Sequence, residues 1–306
     1  MNVETHKTSN NVVKAWISAM RLRTLPLALA STFTGGFLAM LDGPIDGLIL
    51  TATAITTILL QINSNLANDY GDFEHGTDND ERIGPERALQ SGALQPAQMK
   101  RAIGLFSFLA FASGCWLLWL APLDLITKGI LLLLGMAAIY ASVKYTAGSN
   151  PYGYRGLGDV SVMAFFGILG VLGSHLCQTG AFDWWMLLPA LGIGAFSTAV
   201  LNVNNTRDIE SDTNAGKITL AVKLGPAKAR MYHVLLIAIG CDAFIWFGWF
   251  RFTELTQWLF VLSLPLFLFN AWKVYTTEAS KLDPMLKQLA LSTFLLSLLL
   301  GVGMAL

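Results

Sequence analysis

The sequence predicts an all-α, polytopic membrane protein of nine transmembrane helices, built as a pseudo-repeat of four-helix units with a ninth helix added. Three observations carry this prediction. Hydrophobic residues make up 54% of the chain and charged residues only 13%, whereas a soluble domain carries roughly 25% charged residues. The charges are confined to short segments between long apolar runs, the pattern of a chain whose solvent is lipid. Two similar polar motifs close the second and the sixth of those runs. The net charge of zero gives no electrostatic footprint for nucleic acid.

A spanning helix needs about 20 predominantly apolar residues. The segments 22–41, 47–67, 101–121, 126–145, 157–177, 184–203, 231–250, 256–274 and 286–306 meet this requirement. The connections 41–46, 122–125, 178–183 and 251–255 are short. The connections 68–100, 146–156, 204–230 and 274–285 are longer and polar. The polar stretch 1–11 is not followed by a short apolar core with a small-residue cleavage site, so the first apolar segment is expected to remain as an anchor. Cys115, Cys177 and Cys241 each fall within or beside an apolar segment and read as buried small hydrophobes rather than as disulfides or metal ligands.

The cations orient the spans. Threading the nine segments alternately puts all of the 20 Lys and Arg except Lys128 and Arg251 on one side. The positive-inside rule places that side in the cytoplasm. The expectation is an integral protein of the cytoplasmic (inner) membrane, with the N-terminus and the long loops inside and the C-terminus outside. The chain reads as a single membrane-embedded domain over 1–306. In it, 1–13 is a cytoplasmic tail, and 68–100 and 204–230 are cytoplasmic loops carrying the motifs.

The second run ends in Asn65-Leu-Ala-Asn68-Asp69-Tyr-Gly-Asp72, and Asp78 follows. The sixth ends in Asn202-Val-Asn204-Asn205-Thr-Arg207-Asp208-Ile-Glu210-Ser-Asp212. Both contain Asn-x-x-x-Asp, as Asn68/Asp72 and Asn204/Asp208, and the i, i+4 spacing puts each pair on one helix face. Each motif closes the second helix of a four-helix stretch, as an internal duplication would place it. Acids at helix C-termini are disfavoured by the helix dipole, by roughly 0.3–1 kcal/mol each. If the halves pack face to face, the two clusters converge and repel. Bound divalent cations resolve the conflict: Mg²⁺ takes one or two carboxylates and completes its shell with water and substrate phosphate oxygens. Cations stand beside the acids, as Arg82 and Arg87 in the first loop and Arg207 and Lys217 in the second. They suit phosphate oxygens that metal leaves free. Surface ion pairing remains the alternative for each.

These motifs resemble those of the UbiA superfamily of intramembrane prenyltransferases. The finer resemblance is to its 1,4-dihydroxy-2-naphthoate polyprenyltransferases of menaquinone synthesis. Arg23-Thr-Leu-Pro-Leu-Ala, Asn65 through Asp72, Arg82-Ile-Gly-Pro85 and Asn150-Pro-Tyr-Gly-Tyr154 carry it. Gly156-Leu-Gly-Asp159-Val-Ser-Val, Phe165-Phe-Gly167 and Asn204-Asn-x-Arg-Asp208 through Lys217 continue it. Two positions depart. Gly76 stands four residues after Asp72, and the next acid comes at Asp78, a longer spacing that resembles the naphthoate branch. Leu22 stands where relatives often have Pro.

The resemblance implies nine helices around a central cavity, an allylic polyprenyl diphosphate donor, an aromatic acceptor and a Mg²⁺ cofactor. It places the metal on Asn68, Asp72, Asp78, Asp208 and Asp212. Asp72, Asp208, Arg87 and Lys217 would then stabilise the leaving diphosphate. Asn68, Asn205, Arg82, Arg207 and Arg23 are expected to bind substrate. Tyr145, Tyr152 and Tyr154, near the same mouth, are candidates for cation–π stabilisation of the prenyl cation, with an interfacial aromatic belt as the alternative. Asp159 opens the fifth span within Gly-Leu-Gly-Asp and reads as a catalytic candidate facing the acceptor, with a helix cap as the alternative. In the naphthoate branch the acceptor loses its carboxylate as CO₂; 4-hydroxybenzoate is the alternative acceptor. The non-enzyme alternative is a cation-coupled transporter. It fits less well, because transporters hold ionisable groups near the midplane, and here the acids gather at one face.

Overall fold

A computed structural model describes residues 12–77 and 87–306. Among these residues nine helices are long and apolar enough to cross a membrane. They are α1 (Val12–Leu41), α2 (Gly47–Glu74), α3 (Pro96–Leu120), α4 (Leu125–Lys144), α5 (Gly158–Thr179), α6 (Trp184–Arg207), α7 (Leu220–Arg251), α8 (Leu255–Thr276) and α9 (Asp283–Ala305). The protein is an integral membrane protein. The tail 1–11 and the site candidates Asp78 and Arg82 lie outside the described residues.

The helix ends depart from expectation where polar residues continue a helix beyond the apolar run. α2 runs on through its motif to Glu74, so Asn68 and Asp72 are both helical. α7 begins at Leu220 rather than 231, because Lys223, Lys228 and Arg230 interrupt the apolar pattern without interrupting the helix. It breaks once, at Gly225 (φ 76°, ψ 165°), directly before Pro226. That backbone conformation is open to glycine, and Pro lacks the N–H a continuous helix would bond. α1 breaks at Arg21 (φ 47°), the one non-glycine residue with positive φ among the described residues, and restarts at Leu22.

The contacts repeat between halves. α1 packs on α2, α2 on α3 and α3 on α4; α5 packs on α6, α6 on α7 and α7 on α8. α9 closes against α1, α6 and α8. The interiors of the halves differ. The second half is filled by Phe196, Phe244, Phe247, Phe260 and Phe267, all fully buried, with Phe196 and Phe267 stacked at 4.0 Å between ring centroids. The first half is hollow. A cavity of about 340 Å³ runs between α1, α2, α3, α4 and α5. α4, which packs on α2 and α3, buries none of its residues.

Candidate active site

Two cavities meet at the motif end of the bundle. The large one is lined mostly by apolar or small side chains, among them Leu60, Phe111, Leu132, Ile139, Phe165 and Leu169. Part of its wall is a π-helical segment of α5, Met163–Leu172. A cluster of Ile49, Ala52, Leu117, Ala121 and Cys177 packs at its far end. The second cavity, about 220 Å³, is the more polar of the two: Asn68, Asp72, Arg87, Asn204, Asn205, Asp208, Asp212 and Lys217 line it. Gln61, Asn68, Tyr145, Val162, Phe166 and Leu201 belong to both walls and mark the junction.

The two motifs therefore converge, as the duplication predicted. Gly71 allows part of this. A Cβ there would sit 2.4 Å from the Thr146 carbonyl carbon, so only glycine lets the end of α2 close on the α4–α5 connection. Thr146 then bonds Ala67 O and Asn68 Oδ1. Lys217 stands between the motifs, 3.6 Å from Asp72 Oδ1 and 3.7 Å from Asp212 Oδ1. Burial acts against its ammonium, but Asp72 and Asp212, with Tyr154 and Asp208 behind them, raise its pKa above the ordinary value. The Tyr154 hydroxyl donates to Asp72 at 2.8 Å. Burial and then the Asp72 carboxylate push that phenol up, so it stays a donor.

Several expected residues take different places. Tyr154 lines neither cavity; its ring lies under Lys217, 5.3 Å from Nζ, and its hydroxyl holds Asp72. Its hydroxyl is bonded to Asp72, and its ring does not face the apolar cavity. Tyr145 and Tyr152 do line the apolar cavity, edge to face at 5.4 Å. Arg207 lines neither cavity, because its guanidinium is turned onto Asp208 and Asp283. Asp159 also lines neither; it is buried beside Tyr232, with Oδ1 bonded to nothing. Arg23, half exposed, lines the polar cavity 3.7 Å from Asp283. Arg87 lines it too and lies 3.5 Å from Asp69.

The sequence pattern missed Gln61 and Asp283. Gln61 carried a signal, since Gln61, Asn63, Ser64 and Asn65 form a polar run inside an apolar span. Asp283 carried none: it is a lone acid at a helix start, distant in sequence from either motif.

The polar cavity suits a hard divalent cation. Its motif donors are carboxylate and amide oxygens from Asn68, Asp72, Asn204, Asn205, Asp208 and Asp212, with no thiolate or imidazole in the wall. Among the described residues no three Asp, Glu, His or Cys side chains converge on one point. Oxygen donors of this kind suit Mg²⁺, which takes one or two carboxylates and completes its shell with water and ligand phosphate oxygens.

The sequence profile of the UbiA prenyltransferase family matches residues 28–303. The chain belongs to that family. Among curated relatives it is 43% identical over 305 residues to the 1,4-dihydroxy-2-naphthoate octaprenyltransferase of Haemophilus influenzae, covering 99% of each chain. It is 41% identical over 291 residues to the Escherichia coli protein of the same name, covering 95% of this chain and 94% of that one. Among solved structures it resembles the apo UbiA homologue of Aeropyrum pernix, with a TM-score of 0.71 at 15% identity, covering 93% of this chain and 98% of that one. It also resembles an Archaeoglobus fulgidus UbiA homologue bound to GPP and Mg²⁺, with a TM-score of 0.64 at 13% identity, covering 94% and 100%. These likenesses show the UbiA fold. The curated relatives extend nearly end to end, and the chain is a prenyltransferase of this family.

Proposed function

We propose that this prenyltransferase moves a polyprenyl chain from an allylic diphosphate to 1,4-dihydroxy-2-naphthoate, releasing diphosphate and CO₂ and giving demethylmenaquinol. The observation that carries the proposal is the junction of an apolar cavity with a polar one at Asn68 and Tyr145. An allylic diphosphate has the matching division, an apolar tail and a charged head joined at the bond that breaks.

Asn68, Asp72, Asp208 and Asp212, with Asp78 from outside the described residues, would hold Mg²⁺. Bound there, Mg²⁺ supplies Lewis-acid stabilisation of the departing diphosphate charge. The chain's own groups do the rest. Lys217 and Arg87 face the same cavity and neutralise phosphate oxygens that lack a metal partner. Tyr154 and Lys217 fix the Asp72 carboxylate. When the allylic C–O bond breaks, its electron pair leaves with the diphosphate. The carbon left behind lies at the junction, against Tyr145 and Phe166, whose rings stabilise positive charge while apolar walls keep water away. The acceptor ring fits the opposite wall of the polar cavity, against Leu27, Val200, Leu286 and Ala290, with Arg23 and Lys287 beside them to meet its carboxylate. The ring carbon forms the new C–C bond, and the carboxylate leaves as CO₂.

In this reading the chain is one membrane-embedded domain of the cytoplasmic membrane. Its motif face is cytoplasmic, as the cation asymmetry indicates. The test is direct. Purified protein with Mg²⁺, a polyprenyl diphosphate and dihydroxynaphthoate yields prenylated naphthoquinol and CO₂. Product with 4-hydroxybenzoate and none with dihydroxynaphthoate overturns the acceptor assignment.

A further inference from the structure

The Arg207 guanidinium lies behind the polar cavity, yet it touches three groups in the wall. Nε and Nη2 fork onto the carboxylate of the next residue, Asp208, at 2.7 Å to each oxygen. Nη2 also donates to Asn204 Oδ1 at 2.9 Å, and Nη1 donates to Asp283 Oδ1 at 2.5 Å. The Arg207 side chain is 1% exposed and that of Asp283 is 41% exposed. Asp283 opens α9 and comes from the far end of the chain, so one guanidinium ties the second motif to the last helix.

The charges explain why the third member matters. A carboxylate has about four lone-pair positions, and a fork occupies two. Asp208 therefore keeps acceptor capacity toward the cavity. The Arg207–Asp208 pair by itself is neutral, a poor partner for a divalent cation. With Asp283 on the outer nitrogen the Arg207 charge is shared between two carboxylates and neutralises Asp208 less completely; Arg23, 3.7 Å from the other Asp283 oxygen, is 45% exposed and largely screened by solvent. The Arg207–Asp283 contact stops the guanidinium from swinging into the cavity and takes up the donor that would otherwise be left buried.

We propose that Asp283 is a positioning residue for the metal: through Arg207 it fixes the Asp208 carboxylate and shares the guanidinium charge that would otherwise neutralise it. The inference rests on the reading of Asp208 as a metal-holding residue. Outer partners of metal-holding groups typically contribute about 10–100-fold to metal affinity.

The test is a Mn²⁺ titration of the detergent-purified full chain with inorganic diphosphate, followed by EPR and without turnover. Asp283→Asn is expected to weaken Mn²⁺ binding about tenfold or more, and Asp283→Glu to recover most of it. Arg207→Lys, which keeps the charge but loses the fork, is expected to weaken binding as well. It also carries the test if Asp283→Asn does not purify folded. Asp208→Asn separates the two readings. If Asp208→Asn weakens binding and Asp283→Asn does not, the proposal falls and the metal assignment stands. If neither weakens binding, the metal assignment falls first. If Asp283→Asn weakens binding while Arg207→Lys leaves it unchanged, Asp283 acts on the metal directly, and the proposed route through Arg207 is overturned.

Discussion

The two membrane faces of this prenyltransferase use acidic residues in opposite ways. On the face away from the motifs, Asp46, Asp124 and Asp183 stand just before α2, α4 and α6, and each accepts hydrogen bonds from backbone N–H groups of the turn that follows. The helix dipole favours an anion there and the first-turn N–H groups need an acceptor, so local structure accounts for the position of these acids, with Arg251 added 3.2 Å from Asp183. On the motif face Asp72 lies in the last turn of α2, and Asp208 ends α6. There the dipole of the helix each one ends disfavours it, and side chains rather than backbone N–H groups hold it: Tyr154 and Lys217 for Asp72, the adjacent Arg207 and through it Asp283 for Asp208. Acids that helix geometry does not explain are the ones that line the cavity.

The largest effect that sharpens the contrast is on turnover. Asp72→Asn and Asp208→Asn are each expected to lower kcat for prenyl transfer by about 100-fold or more, the usual consequence of removing one stabiliser of a developing negative charge. Asp208→Asn should also lower the melting temperature, because it strips the forked carboxylate from an Arg207 guanidinium that is 1% exposed; Asp72→Asn keeps an acceptor for the Tyr154 hydroxyl and should cost less stability. Steady-state rates and a melting curve on the same preparation check both halves of the statement. Full activity in either variant breaks the comparison.

Asp69 tests whether position on the motif face is enough. It is 1% exposed, contacts Arg21, lies 3.5 Å from Arg87 and lines neither cavity. Its Arg21 partner sits at the break in α1 and holds a left-handed backbone conformation there. Removing one partner from a buried ion pair typically costs about 3–5 kcal/mol. Asp69→Ala is therefore expected to lower the melting temperature strongly. Its loss of kcat per folded molecule should be smaller than that of Asp72→Asn. The reverse ranking would place Asp69 among the groups that act on substrate.

Much of this is legible in the sequence. Apolar runs separated by charged segments gave nine helices because lipid tolerates little else. The repeated Asn-x-x-x-Asp at matching helix ends announced the convergence of Asn68, Asp72 and Asp208. What escaped was orientation. Nothing in Asn-Asn-Thr-Arg-Asp says that Arg207 turns away from the cavity onto its own neighbour, since a guanidinium serves phosphate and carboxylate equally well. Nothing local distinguishes Tyr154, which supports Asp72, from Tyr145, which lines the cavity. Asp159 read as functional because it opens a helix within a glycine-rich motif, yet the packing of α5 on α6 turns it away from both cavities. Asp283 had no pattern at all, because its role exists only once α9 is folded against α6.

The smallest effect concerns the opposite face, where the comparison holds that an acid is a cap and nothing more. Asp124 accepts from the Thr127 hydroxyl at 2.5 Å and from the Ile126 and Thr127 N–H groups at 2.9 and 3.0 Å. The Thr127 hydroxyl first, then these N–H bonds, hold its carboxyl below the ordinary 3.8. A group whose folded pKa is lowered stabilises the fold above its unfolded pKa and loses that contribution as pH falls through the folded value. Asp124→Asn keeps a side-chain oxygen for the cap but removes the charge. The unsubstituted protein should therefore be slightly more stable than Asp124→Asn at neutral pH. The gap should close as pH falls below 3.8, and neutral-pH prenyl transfer should be the same in both. Melting curves of the two proteins across the acid range measure the gap. A gap that does not change with pH would mean that the charge adds nothing to the cap, and that this face needs its acids only as hydrogen-bond acceptors.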